Sequence, residues 1–139
     1  MERNGGVPQQ GNIGEHLKIL RKHIDDLMPD ENNEGLAVID FESWRPVYRQ
    51  NFGVLQPYKD LSERIERQLH PFWSQYHIEI EAKRRFEEYA KIFMVDSIEL
   101  AKSMRPKAKW GYYGLPYCFN GRNNNAEDCP AEVQRENDE

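Results

Sequence analysis

The run Leu36-Ala37-Val38-Ile39, preceded by Gly35 and closed by Asp40-Phe41-Glu42-Ser43-Trp44, most limits the folds open to this chain. A short apolar run rich in β-branched residues predicts a buried strand, with its polar residues confined to the carboxyl end. Side chains alternate along a strand, so Asp40 and Glu42 share one face and Phe41 takes the other. Two neighbouring carboxylates cannot both ionise freely, and a carboxyl held protonated is what a general acid needs. Taken alone, a strand end with two solvated acids explains the pattern equally well.

The segments on either side say how that strand is connected. From about Asn12 to Met28, Leu17, Leu20, Ile24 and Leu27 recur at helical spacing before Pro29. His16 and His23 lie on this helix without carboxylate or cysteine partners and are expected at the surface or core edge rather than on a metal. After Trp44-Arg45-Pro46 breaks regular pairing, Pro57 to Leu69 supports a short helix that His70-Pro71 stops. A long helix is predicted from Gln75 to Met104, with Ile78, Ala82, Phe86, Tyr89, Phe93, Ile98 and Ala101 as its apolar stripe. Lys83-Arg84-Arg85 on that helix is expected to be a solvated face.

Lys109-Trp110-Gly111-Tyr112-Tyr113 is the next predicted strand, with Gly111 allowing close approach of a backbone or ligand. Two strands joined by a long helical crossover run parallel, so the expected class is α/β. Ligands in such folds bind outside the carboxyl ends of the strands, which would turn Glu42 and Tyr113 towards one cleft. Trp110 is assigned to the face of Tyr113, deeper in the strand, and Tyr112 to the packing face. The acidic tail over residues 130–139 is expected to be poorly ordered.

Composition removes several classes of function. A chain of 139 residues with 31% charged and 38% hydrophobic residues has no run long enough to span a bilayer. A net charge of −5 argues against nucleic acid as a partner. It does not exclude a polyanionic substrate, because affinity there depends on the local field; Arg45 and Arg49 follow the carboxylate strand and either add positive potential there or serve equally well as ordinary surface or ion-paired residues. Cys118 and Cys129 bracket an Asn- and Gly-rich loop and lack the close spacing of a zinc site, so no metal or cofactor is expected. Two free thiols remain the alternative to a short disulfide loop.

Longer motifs carry a more specific signal. Asn4-Gly5-Gly6-Val7-Pro8-Gln9, Ala37-Val38-Ile39-Asp40-Phe41-Glu42-Ser43-Trp44-Arg45-Pro46 and Trp110-Gly111-Tyr112-Tyr113-Gly114-Leu115-Pro116-Tyr117-Cys118-Phe119-Asn120 resemble the hyaluronidases of the insect-venom and animal type. His70-Pro71-Phe72-Trp73, Glu81-Ala82-Lys83-Arg84-Arg85-Phe86-Glu87 and Met104-Arg105-Pro106 extend the resemblance over essentially the whole chain.

That resemblance implies a TIM-like (β/α) barrel, of which residues 1–139 would form the middle, as a partial catalytic domain. It implies a secreted glycoside hydrolase that cleaves hyaluronan, and by extension chondroitin, although no signal peptide is visible here. A catalytically silent, glycosaminoglycan-binding relative is the alternative. Within the family pattern Glu42 would be the acid/base, Asp40 would hold the acetamido N–H, and Tyr113 would position the acetamide oxygen. Arg45 and Trp110 would contact substrate, and Cys118 would pair with Cys129, a closure worth on the order of 3 kcal/mol. The family's glycosylation acceptor near Asn12 is missing, since Asn12-Ile13-Gly14 is not a sequon. Two acids on one strand lie on one side of the sugar, which suits a mechanism in which the substrate's own acetamide is the nucleophile.

Overall fold

The computed structural model describes residues 4–41, 43–115 and 130–138, excepting the side chains of residues 136 and 137. The chain enters through a left-handed turn with positive φ at Asn4, Gly5 and Gly6. A Cβ on Gly5 would sit 2.3 Å from the carbonyl oxygen of Gln10, so the turn demands glycine there. A 3-10 turn at Pro8–Gln10 then leads into helix α1, Ile13–Leu27. Asn12 caps this helix, its Oδ1 accepting from the Glu15 N–H at 3.0 Å, while the Asn12 N–H donates to Asn4 Oδ1 at 2.7 Å. Ile24 is buried as expected, but Leu27 is 80% exposed, because the helix leaves the core in its last turn.

Strand β1 covers Leu36–Ile39 and strand β2 covers Lys109–Tyr112. They pair in parallel, with Leu36 opposite Lys109 and Ile39 opposite Tyr112. Between them come helices α2, Gln56–Leu69, and α3, Gln75–Met104. The parallel pair and its helical crossover are the expected α/β arrangement.

Helix α3 starts at Ser74, whose side chain accepts from the His77 N–H. Its buried seam is Ile78, Ala82, Phe86, Ala90, Phe93, Ser97 and Ala101. Tyr89 and Ile98, expected on this stripe, are displaced to its flanks by Ala90 and Ser97. Small side chains are needed where α1 and the entry turn cross the helix: Gly11 packs so close to Phe93 that a Cβ would fall 2.7 Å from its ring. Val7, Trp44, Tyr48, Ala82, Phe86, Ala90 and Phe93 make the core.

Polar ties fix the helices around it. Glu66 of α2 is fully buried and accepts from Arg85 Nη1 of α3 at 2.6 Å. Arg85 is therefore an internal ion-pair partner, whereas Lys83 and Arg84 are solvated as expected. Arg105 is buried behind α3, donating to the Met28 carbonyl at 2.6 Å and to Asp25 at 3.1 Å, so it ties the ends of α1 and α3 together. Composition suggests an irregular tail, yet Ala131–Asp138 form helix α4 with Val133 buried. Glu132 in its first turn and Arg135 in its last both complement the helix dipole.

Candidate active site

The two faces of the small sheet have opposite surroundings. Ala37 and Ile39 share a face with their register partners Trp110 and Tyr112. On this face the Trp110 Nε1–H donates to the Arg105 carbonyl at 3.1 Å, and the Tyr112 hydroxyl donates to the Met94 carbonyl of α3 at 2.7 Å. Burial pushes the Tyr112 hydroxyl up to about 12, with a Ser97 hydrogen bond acting in the opposite direction. Tyr112 is thus a packing residue. Trp110 is one as well, which corrects its assignment to the face of Tyr113: residues three apart in a strand lie on opposite sides.

Leu36 and Val38 line the other face with Lys109 and Gly111, and they are 83% and 59% exposed. Only Ala37 of β1 is buried, because the helices cover one side of the sheet and no described element covers the other. A Cβ on Gly111 would meet nothing within 4 Å, so no close approach among the described residues explains that glycine.

Asp40 continues the face of Leu36 and Val38 past the strand end, and Tyr113 continues that of Gly111. The Tyr113 N–H donates to the Ile39 carbonyl at 3.0 Å, extending the ladder. One further step in register sets Asp40 beside Tyr113, and both are exposed at the carboxyl ends of adjacent parallel strands. Glu42, Cys118 and Cys129 lie outside the described residues.

The described residues on either side of position 42 are held by packing and hydrogen bonds. Phe41 packs against Trp44 with ring centroids 4.6 Å apart, and Trp44 in turn meets Phe86 and Phe93 of α3. Downstream, the buried Asn51 side chain ties the loop into a knot that sequence reading missed. Its Oδ1 accepts from the Arg45 N–H at 2.8 Å, and its Nδ2 donates to the Arg45, Val47 and Tyr48 carbonyls. Arg45 Nη1 donates to the Gln50 carbonyl at 2.8 Å and its guanidinium lies over the Phe52 ring. The side chain expected to face substrate therefore also braces this loop. Asn is common in turns, so only a buried side chain bonding several carbonyls separates this one from an ordinary loop residue.

Behind the strand end, on the side of Phe41 and Ser43, lies a cavity of about 490 Å³ bounded by Val7, His16, Trp44, Tyr58 and Phe93. Neither Asp40 nor Tyr113 lines it. His16 Nε2 sits 2.8 Å from Ser97 Oγ, and burial lowers its pKa from the ordinary 6.5. His23 is exposed. Among the described residues no three His, Cys, Asp or Glu side chains gather as a metal site, and no helix is long and apolar enough to cross a membrane.

Residues 1–139 match the hyaluronidase family along their whole length. The chain belongs to that family. It is 52% identical to the hyaluronidase of Apis mellifera over 98% of its own length and 36% of the relative's. With hyaluronidase B of Vespa velutina the identity is 51%, over 99% of this chain and 42% of the relative. The crystal structure of bee venom hyaluronidase in complex with a hyaluronic acid tetramer superposes with a TM-score of 0.91, covering 98% of this chain and 42% of that one. The chain thus spans less than half the length of these relatives. Its parallel strands and helical crossover are part of a TIM-like α/β barrel, in which the face turned away from the helices, that of Leu36 and Val38, is the interior.

Proposed function

We propose that this chain carries the acid machinery of a secreted endo-β-N-acetylhexosaminidase that cleaves hyaluronan. The observation that carries the proposal is the register of β1 and β2, which brings Asp40 and Tyr113 side by side at the carboxyl ends of the strands, on the face away from the helices. Family membership and the sugar tetramer bound by the bee venom relative point to the substrate class. The venom origin of that relative supports secretion.

In the proposed mechanism Glu42 protonates the glycosidic oxygen while the substrate's acetamido oxygen attacks the anomeric carbon from the opposite side. Asp40 accepts the acetamido N–H and stabilises the positive charge that develops there. Tyr113 donates to the acetamide oxygen and aims it. The deprotonated Glu42 then takes a proton from water, which opens the cyclic intermediate and restores the starting configuration. The packing of Phe41 on Trp44 and the Asn51 hydrogen bonds, on either side of position 42, support this role, because a general acid depends on how its neighbours position it.

Glu42→Gln in the complete protein is expected to lower hyaluronan turnover by about 100-fold or more with an unchanged circular dichroism spectrum. Near wild-type turnover by the folded variant would contradict the assignment.

A further inference from the structure

Glu66 of α2 is fully buried, yet only one of its carboxylate oxygens is paired. Oε1 accepts from Arg85 Nη1 of α3 at 2.6 Å, whereas Oε2 is buried without a hydrogen-bond partner. A buried carboxylate oxygen left in this state is costly, so the donor that could reach it matters. That donor is His70, one turn further along at the C-cap of α2, whose Nε2 stands 3.9 Å from Oε2, beyond hydrogen-bond reach. The His70 side chain is 35% exposed and so open to protons from solvent.

The surroundings of this imidazole suit a cation. The Trp73 indole stacks on it with centroids 3.7 Å apart and 6° between planes, presenting the ring face that attracts positive charge. From α3, Glu81 acts on the same ring. Hydrogen bonding from Arg84 holds the Glu81 carboxyl below its ordinary range against the opposing effect of burial, and the charges of Arg84, Arg85 and His70 act in the same direction as that bond. Arg85 is the cation that opposes protonation of His70, and it is engaged with Glu66 Oε1. His77 stands beyond Trp73 with ring centroids 6.2 Å apart, its Nδ1 3.0 Å from Ser74 Oγ. Glu63, Glu79 and Arg67 meet at the neighbouring Gln75, whose neutral amide leaves their charges in place.

We propose that His70 is a proton-operated clamp on the turn between α2 and α3, which closes on the unpaired oxygen of Glu66 when the imidazole is protonated. A neutral ring carries one N–H, and its tautomer decides where; an imidazolium donates from both nitrogens. Protonation therefore gives Nε2 a charged N–H facing a carboxylate, and the gap closes to a charge-assisted hydrogen bond while the ring remains against Trp73. The backbone follows the ring, because the His70 N–H donates to the Glu66 carbonyl at 2.8 Å and the Trp73 N–H to the His70 carbonyl at 3.1 Å. Imidazole is the side chain that changes charge between about pH 5 and 8, so the clamp is closed at the acidic end of that range and open at the other. The clamped turn binds the proton more tightly than the open one, so its stabilising contribution is present at acid pH and lost as pH rises. This device is independent of the hyaluronan reading.

Hydrogen exchange of the complete protein, corrected for the intrinsic rate at each pH, tests the clamp at about pH 5.5 and about pH 7.5. The amides of His70, Phe72 and Trp73 should be roughly tenfold better protected at the acidic value, the scale of one charge-assisted hydrogen bond. His70→Gln should match the wild type near neutrality and lose the acid rise, and His77→Gln should keep it. A rise that survives in His70→Gln, or that disappears in His77→Gln, would overturn the proposal. Protection lowered equally at both pH values in His70→Gln would show ordinary packing and overturn it too. Should His70→Gln fail to fold by circular dichroism, the other two proteins decide: an acid rise in both supports the clamp, and protection that is flat or falls on acidification refutes it.

Discussion

At the residue scale, the side chains around the strand mouth divide into those that face solvent and those that hold the mouth in place. Asp40 and Tyr113 belong to the first group, and Phe41, Trp44, Asn51 and Tyr112 to the second. His16 is the titrating member of the supporting group. Its imidazole is held below the ordinary 6.5 by burial, so the unfolded chain binds that proton more readily than the folded one. The stabilising contribution is therefore complete above the unfolded value and is lost as pH falls through it towards the lower folded pKa. Thermal midpoints recorded between about pH 7 and pH 5 should fall more steeply for the wild type than for His16→Gln. Parallel curves would show that the buried imidazole does not titrate with unfolding. The opposite placing of Asp40 and Phe41 was legible in the sequence because strand alternation is a local property. The Asn51 knot was not, since its partners become neighbours only after the loop has folded back on itself.

At the scale of elements, helix α3 was legible over its whole span, Gln75–Met104. Long amphipathic patterns with clear ends depend little on tertiary context. Which residues form the seam depends on it fully. Large apolar side chains such as Tyr89 and Ile98 attract a periodicity argument, yet the close crossing of α1 and the entry turn selects Ala90 and Ser97 instead. The same context explains the exposed face of β1: its apolar run predicts a buried strand, yet only Ala37 is buried, because no described element covers the face of Leu36 and Val38. Two glycines test the packing argument. Gly11→Ala should destabilise the protein by about 1–3 kcal/mol, because the new Cβ would lie 2.7 Å from the Phe93 ring. Gly14→Ala, a helical position whose nearest contact is an ordinary 3.4 Å, should be neutral or stabilising by up to about 1 kcal/mol. Equal effects in chemical denaturation would contradict the crossing as described.

At the scale of the whole molecule, the chain holds two parallel strands and their supporting helices while presenting Leu36 and Val38 to solvent on the barrel-interior face. Exposed strand faces and edges of this kind promote association. Residues 1–139 expressed alone are accordingly expected to associate in light scattering and to show no measurable hyaluronan turnover. A monomeric, cooperatively folding chain with the turnover of a full-length relative would contradict that expectation. The proposed chemistry belongs to the same scale, because it requires the polymer's acetamide to reach the anomeric carbon within a closed cleft. In the proposed mechanism the substrate's acetamide, rather than an enzyme carboxylate, is the nucleophile, so the configuration of the first-formed product reports most directly on the central claim. Proton NMR of the complete protein cleaving hyaluronan should show the β-anomer of the new reducing end first, with the α-anomer appearing only through later mutarotation. Initial release of the α-anomer would require water to attack directly, and would contradict an acetamide nucleophile guided by Asp40, Glu42 and Tyr113.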